Sequence, residues 1–310
     1  MPELPDVVVY VERLVARFGG KPVENLRVKS PFVIRTFEPP ASAVVGRKLQ
    51  SAFRIGKRIA LVFDPELYFV VHLMIAGRFH LAPRAAALGK IALLGLDFPD
   101  ETLLLTEAGT KKRASVHVVA TRAEALALGR GGIEPLEASL AEFARALSSE
   151  NHTLKRALTD PRLFSGIGNA YSDEILFWTQ LSPMKRTTDL DPASVERLYD
   201  TTRRVLTTWV ERLRDDVGDG FPEKVTAFRP EMAVHGRYKQ PCPVCGSPVQ
   251  RIAYANNEAN YCAVCQTGGR LLADRALSRL LRGDWPKTLE ELEEAKAQRA
   301  AGTVRSKRTL

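Results

Sequence analysis

The sequence predicts an α+β chain, with an antiparallel β-sandwich or barrel first, a helical part after it, and a four-cysteine metal finger near the end. Three observations carry this reading. Between Val23 and Val119, nine short runs rich in Val, Ile, Leu and Phe are separated by turn residues, which is the pattern of an antiparallel two-layer structure. Beyond Arg130-Gly131-Gly132 the apolar period changes from two to about 3.6. All four cysteines lie between Cys242 and Cys265, in two pairs. A length of 310 residues with 45% apolar content suits about two domains with real cores.

Taken in order, Val7, Val8, Val11, Leu14, Val15 and Phe18 follow helical spacing and Gly19-Gly20 stops the helix. The strand runs are 23–28, 32–37, 48–55, 58–63, 68–73, 77–81, 91–98, 102–106 and 114–119. Basic residues stand at three of their turns: Arg54, Lys57 and Arg58 at one, Arg78 at another, and Lys111, Lys112 and Arg113 at a third. Helical runs follow at 136–147, 152–158, 170–178 and 195–213. In the last of these Asp191 caps, Pro192 suits the first turn, and Val195, Leu198, Thr202, Val205, Trp209 and Leu213 share a face. A polar stretch, 221–236, leads to the cysteines. After them come a charged helical pattern at 289–299 and a basic tail at 305–310 that is expected to be disordered. The domains expected are 1–130, 131–236, the finger at 237–268 and a charged extension at 269–310.

The net charge of +9 and a pI near 9.5 point to a polyanionic partner, because such a surface attracts phosphates and releases their counterions. Membrane partners are not expected: Glu12 and Arg13 interrupt the first apolar run, and nothing approaches the ~18 apolar residues of a span. A cytoplasmic location follows as the expectation. In a reducing compartment paired cysteines favour a metal over disulfides. Cys242-Pro-Val-Cys245, sixteen residues, then Cys262-Ala-Val-Cys265 closes a tetrahedral thiolate site suited to Zn2+. Four protein ligands leave no position open for water, so this zinc is structural.

The amino terminus offers chemistry of its own. Once Met1 is removed, Pro2 presents a secondary amine, and an α-amino group titrates near ~7.7–8, so a useful fraction is nucleophilic at neutral pH. Attack on a sugar carbon gives an iminium, and the neighbouring Glu3 can move protons. Taken alone, Pro2 and Pro5 suit a stiffened terminus better than chemistry, and the rest of the chain reverses that order. A second segment runs from Asn151 through Lys155 and Asp160 to Gly166-Ile-Gly168-Asn169-Ala-Tyr-Ser-Asp-Glu174: one helix, a glycine-containing double turn, and a second helix starting near Asn169. Glycines at a helix start let backbone N–H groups approach a phosphate, and Lys155 and Asn169 can add side-chain donors.

Pro2-Glu3-Leu4-Pro5, Lys57 in Gly56-Lys57-Arg58, His72-Leu73 with Gly77-Arg78, Ile133-Glu134-Pro135-Leu136, Gly166-Ile-Gly168-Asn169-Ala-Tyr and the four-cysteine finger together resemble the formamidopyrimidine-DNA glycosylase / endonuclease VIII family over residues 1–266. The resemblance implies a β-sandwich domain joined to a helix-two-turn-helix domain carrying an antiparallel zinc finger, with damaged double-stranded DNA as the partner of a monomer. It implies that Pro2 attacks C1′ of a damaged nucleotide, that Glu3 shuttles protons, and that Lys57 and Asn169 hold phosphates. Gly168, His72 and Lys155 join the DNA contacts it implies. The damaged base is everted, since C1′ is closed to in-line attack while the base is stacked.

Departures from the family's pattern define what is particular to this chain. Asp6 stands where Glu is usual. His72-Leu73-Met74-Ile75 replaces His-Leu-Gly-Met, so either Met74 or Ile75 fills the hole left by the everted base. The loop that usually brings an Arg and a Phe to the orphan base is Ala108-Gly-Thr-Lys-Lys-Arg113, which leaves Lys112 and Arg113 as cations without an aromatic wedge. Asn257 takes the usual place of the finger arginine, with Arg251 and Arg270 as possible substitutes. The function expected is a bifunctional DNA glycosylase/AP lyase of base excision repair. A paralogue that binds damaged DNA without base removal is the alternative, and a zinc-ribbon adaptor explains the finger but not the amino terminus.

Overall fold

The structure, a computed structural model, describes residues 1–253, 258–272, 286–294 and 297. It begins with helix α1, Leu4–Phe18. Glu3 and Asp6 cap it reciprocally: the Glu3 side chain accepts the Asp6 N–H, and the Glu3 N–H donates to Asp6 Oδ2 at 2.9 Å. Aspartate in place of the usual Glu therefore still reaches back and closes the capping box.

Eight strands follow: β1 Asn25–Val28, β2 Leu49–Ile55, β3 Arg58–Phe63, β4 Leu67–His72, β5 Gly77–Pro83, β6 Ala92–Asp97, β7 Glu101–Glu107 and β8 Ser115–Val119. They form two antiparallel sheets, β1-β6-β7-β5 and β2-β3-β4-β8. Ile59, Leu61, Val71, Val116 and Val118 from one sheet and Phe79, Leu94, Leu96, Leu103 and Leu105 from the other share a core with Val7, Tyr10, Leu14 and Phe18 of α1. Successive side chains of a strand point to opposite faces, so every second residue of each strand meets this core. Register pairs Arg58 with His72, His72 with Ser115, and Val70 with His117.

One expected strand, 32–37, does not form. Pro31 has no N–H to give a ladder, and Pro31–Val33 makes a 3-10 turn instead, with only Ile34 bridging Val116. Helix α2, Arg122–Ala127, adds to the expected elements; its Thr121/Glu124 capping box is a spacing visible in the sequence.

The helices beyond are α3 Leu140–Ser148, α4 Leu154–Thr159, α5 Asn169–Trp178 and α6 Pro192–Val217, followed by the finger hairpin β9 Gln250–Ala253 and β10 Glu258–Tyr261 and the short helix α7 Ala263–Thr267. Contacts group the chain into two compact units. The first is Met1–Ala146, Asp160–Gly168 and Arg203–Ala227; the second is Leu147–Thr159, Asn169–Thr202 and Phe228–Leu310. In the second unit the start of the extension packs on the finger. Leu271 N donates to Lys287 O at 2.8 Å and Leu272 N to Tyr261 OH at 2.7 Å. Leu271, Leu272, Leu289 and Leu292 join Ile252, Ala259 and Tyr261 in one apolar cluster. The expected basic tail at 305–310 lies outside the described residues, as does Asn257. Among the described residues no helix is long and apolar enough to cross a membrane.

Candidate active site

Three backbone segments of the first unit converge at the amino terminus. Leu4 N donates to Gly166 O at 2.9 Å, and Gly168 N donates to Glu3 Oε2 at 2.7 Å. Pro2 and Glu3 are buried. A Cβ on Gly168 would collide with Glu3 Oε1 and fall 2.5 Å from Lys57 Nζ, and one on Gly166 would meet Leu4 Cβ at 2.8 Å. Gly166 also has φ +80°, a conformation open mainly to glycine. The two glycines thus serve the residues expected to be catalytic, and the Gly168 N–H donates to Glu3.

The turn carrying Lys57 is held from below. Arg54 donates to Gly56 O at 2.9 Å and pairs with Glu134. Ser165 Oγ donates to Glu134 Oε1 at 2.5 Å, and Ser165 N to Ile133 O at 2.8 Å. Nothing in the sequence signals this Arg54–Glu134–Ser165 brace, because its members are far apart in the chain. Burial pulls the terminal amine of Met1 below its ordinary value; Arg78 and Lys57 act the same way, while Glu3 and Asp6 oppose. Burial, Arg58, Lys57 and His117 together push His72 down to about 4, so its imidazole is neutral at pH 7.

The turn between β4 and β5 settles the places of Met74 and Ile75. Met74 has φ +54°, the left-handed region that suits the Gly of His-Leu-Gly-Met, so it occupies the glycine's place. Ile75 is then the outward residue, 59% exposed. Arg78 braces this turn, donating to Ile75 O at 3.1 Å, to Gly77 O, and through Nε to Val225 O at 2.7 Å. The loop of Lys111, Lys112 and Arg113 lies alongside, since a Cβ on Gly109 would stand 3.4 Å from Ala76 Cβ. Its three cations are exposed, and buried Glu107 anchors it by accepting Arg113 N at 2.8 Å and Ala114 N at 3.1 Å.

In the second unit Asn169 opens α5, with its amide oxygen buried and without a partner. Lys155 departs from expectation. It is buried, and its Nζ donates to Asn169 O at 2.7 Å and to Asp173 Oδ1 at 2.5 Å. A buried ammonium needs an anion, and Asp173 holds it inside, with His235 Nδ1 at 2.8 Å and Asn260 Nδ2 at 3.2 Å on the other carboxylate oxygen. Lys155 therefore ties Asp173 to the start of α5. Arg251, on β9, is exposed, with its guanidinium 4.5 Å from the Tyr238 ring centroid.

The four cysteine sulfurs all lie within 4.8 Å of one another, with Cys242–Cys265 at 3.9 Å and Cys245–Cys262 at 3.4 Å. Zn–S bonds of ~2.3 Å in a tetrahedron put sulfurs ~3.8 Å apart, so the cluster fits one structural zinc.

Family models match along the chain: the formamidopyrimidine-DNA glycosylase N-terminal domain at residues 1–120, the formamidopyrimidine-DNA glycosylase H2TH domain at 131–218, and the zinc finger found in FPG and IleRS at 239–268. Formamidopyrimidine-DNA glycosylase of Thermus thermophilus is 32% identical over 280 residues, covering 87% of this chain and 100% of that one. The chain belongs to the formamidopyrimidine-DNA glycosylase family. A relative from Symbiobacterium thermophilum is 30% identical over 86% of this chain and 89% of its own. Among solved structures, the Lactococcus lactis Fpg bound to abasic-site DNA has a TM-score of 0.75 at 24% identity, covering 86% of this chain and 99% of that one. The amino terminus, helical domain and finger of this family thus stand here in one chain.

Proposed function

We propose that the protein is a bifunctional DNA glycosylase/AP lyase that removes a damaged base through Pro2 and then nicks the strand. The observation that carries this reading is the meeting of Glu3, Lys57 and the buried amino terminus at the glycine-only backbone of Gly168. With Met1 removed, the Pro2 nitrogen adds its lone pair to C1′ as the C1′–N bond breaks and the base leaves with a proton. The Pro2 nitrogen loses its proton, the C1′–O4′ bond opens with O4′ taking a proton, and the nitrogen lone pair forms the iminium. The iminium acidifies C2′; loss of the C2′ proton drives elimination of the 3′ phosphate. Glu3 is the acid and base within reach, and Lys57 supports the phosphate beside the lesion.

Around this centre the DNA contacts proposed are His72, Asn169 and the exposed Arg251 on the backbone, Ile75 in the space of the everted base, and Lys112 and Arg113 on the opposite strand. Met74 shapes the turn and does not insert. The zinc holds the finger and stays outside the chemistry. The aromatic-free loop favours, as a second reading, a paralogue that binds damaged DNA without excision. Borohydride trapping separates the two. Wild-type protein should become covalently joined to lesion DNA, Pro2→Gly should not, and Glu3→Gln should not remove base. A trapped adduct on a lysine, or efficient trapping by Pro2→Gly, overturns the assignment.

A further inference from the structure

The outer face of the β2-β3-β4-β8 sheet is apolar at one end, where Ala60, Tyr68 and Val70 pack with Ala125 of α2. Toward the Lys57 turn it changes character. Residues paired across antiparallel strands share a face, so Arg58, His72, Ser115 and His117 stand together on it. Arg35 joins them: Ile34 bridges Val116, whose side chain is in the core, and Arg35 N donates to Val116 O at 2.8 Å, which turns the next side chain outward. Arg130 closes the group next to Arg58.

This cluster is cationic and lacks counterions. Among the described residues, none of Arg35, Arg58 and Arg130 has an ion-pair partner, and Arg58 Nε and His117 Nδ1 are buried without a hydrogen-bond partner. Acids on adjoining elements are committed elsewhere, Glu124 to the α2 cap and Glu134 to Arg54. Unsatisfied buried donors are costly, and like charges gathered on a half-buried surface are costly too, unless an anion completes them. We propose that Arg35, Arg58, His117 and Arg130 form a phosphate-binding subsite that carries the DNA backbone onward from Lys57 and His72. This rests on the glycosylase reading above. Burial and the charges of Arg58 and Arg35 hold His117 below its ordinary value. A phosphodiester set among them would offset the contributions of the two arginines.

The test is the salt dependence of binding to a duplex bearing a tetrahydrofuran abasic analogue, with strand cleavage followed alongside. Each phosphate contact adds ~0.9 to the slope of log affinity against log salt. Arg58→Ala and Arg35→Ala should each lower the slope by about that amount and the low-salt affinity by about tenfold, and Arg58→Lys should recover part of both. Arg35 is exposed, so its variant reports even if Arg58→Ala folds poorly. Wild-type slopes in both alanine variants, with cleavage intact, overturn the subsite alone. Stabilisation by inorganic phosphate with no change in duplex slope overturns the DNA assignment. A wild-type protein that neither cleaves nor traps overturns the glycosylase reading, while slopes lowered in the two alanine variants still support the subsite.

Discussion

Replacing Gly168 by alanine drives a Cβ into Glu3 Oε1 and to 2.5 Å from Lys57 Nζ, closer than either can remain. Overpacking of this kind costs ~1–3 kcal/mol, which a protein of this size can survive, but the two functional groups must move. A displacement near 1 Å costs catalysis on the order of 10²-fold. Gly168→Ala should therefore stay folded by thermal melting while single-turnover cleavage falls about 100-fold; cleavage within threefold of wild type would show that Glu3 and Lys57 do not need their places. Lys155 makes the opposite case. Removing it leaves Asp173 buried with an uncompensated charge, a loss of ~3–5 kcal/mol where a buried pair is broken. Lys155→Ala should lower the melting temperature without DNA present. A variant that melts like wild type and only binds DNA less well would return Lys155 to the role of a phosphate ligand.

Elements whose cause is local were legible in the sequence. Eight of the nine strand runs appear because each is a short stretch rich in Val, Ile, Leu and Phe bounded by turn residues, and α5 and α6 appear because their apolar residues recur at helical spacing. What was hidden arises between segments distant in the chain. Arg54, Glu134 and Ser165 brace one turn from three places, and no spacing announces that. The 32–37 run read as a strand by composition, yet Pro31 and the outward Phe32 and Phe37, 82% and 89% exposed, leave it only an isolated bridge. The extension after the finger shows the same limit: its charge hid that Leu271, Leu272, Leu289 and Leu292 cover one face of the hairpin. Ending the chain after Gly269 exposes that face and removes the Leu272–Tyr261 bond. Such a protein should retain its zinc by metal analysis, because all four cysteines remain, but should show faster amide exchange in β9 and β10. Unchanged protection there would mean that the extension adds nothing to the finger. Cys262→Ser, in contrast, should lose both the metal and the order of the hairpin, since metal binding and folding are coupled in such sites.

For the molecule as a whole, a net charge of +9 supplies attraction to any DNA, and selectivity has to come from what the protein can check once a base is out. Intact 8-oxoguanine is expected to need a long loop over the everted base, and the stretch after α6 is not free to be one. Phe221 packs on the Tyr10 ring with centroids 5.8 Å apart, Val225 lies in the sandwich core, Val225 O accepts Arg78, and Glu223 Oε1 accepts Leu81 N at 3.1 Å. In the proposed reading Lys111, Lys112 and Arg113 face the opposite strand, and they offer charge with no aromatic to test the partner base. Eversion itself costs a few kcal/mol and costs least for damaged or mismatched bases, so a site with few checks sorts its substrates largely by that cost. Oxidised pyrimidines, ring-opened purines and abasic sites should be processed faster than 8-oxoguanine opposite cytosine, and changing the opposite base should matter little. Introducing Phe at Arg113 should restore some dependence on the opposite base. Single-turnover rates on matched duplexes decide it: if 8-oxoguanine opposite cytosine is the fastest base substrate, the anchored 221–225 stretch does not limit recognition, and purine selectivity must come from residues elsewhere around the everted base.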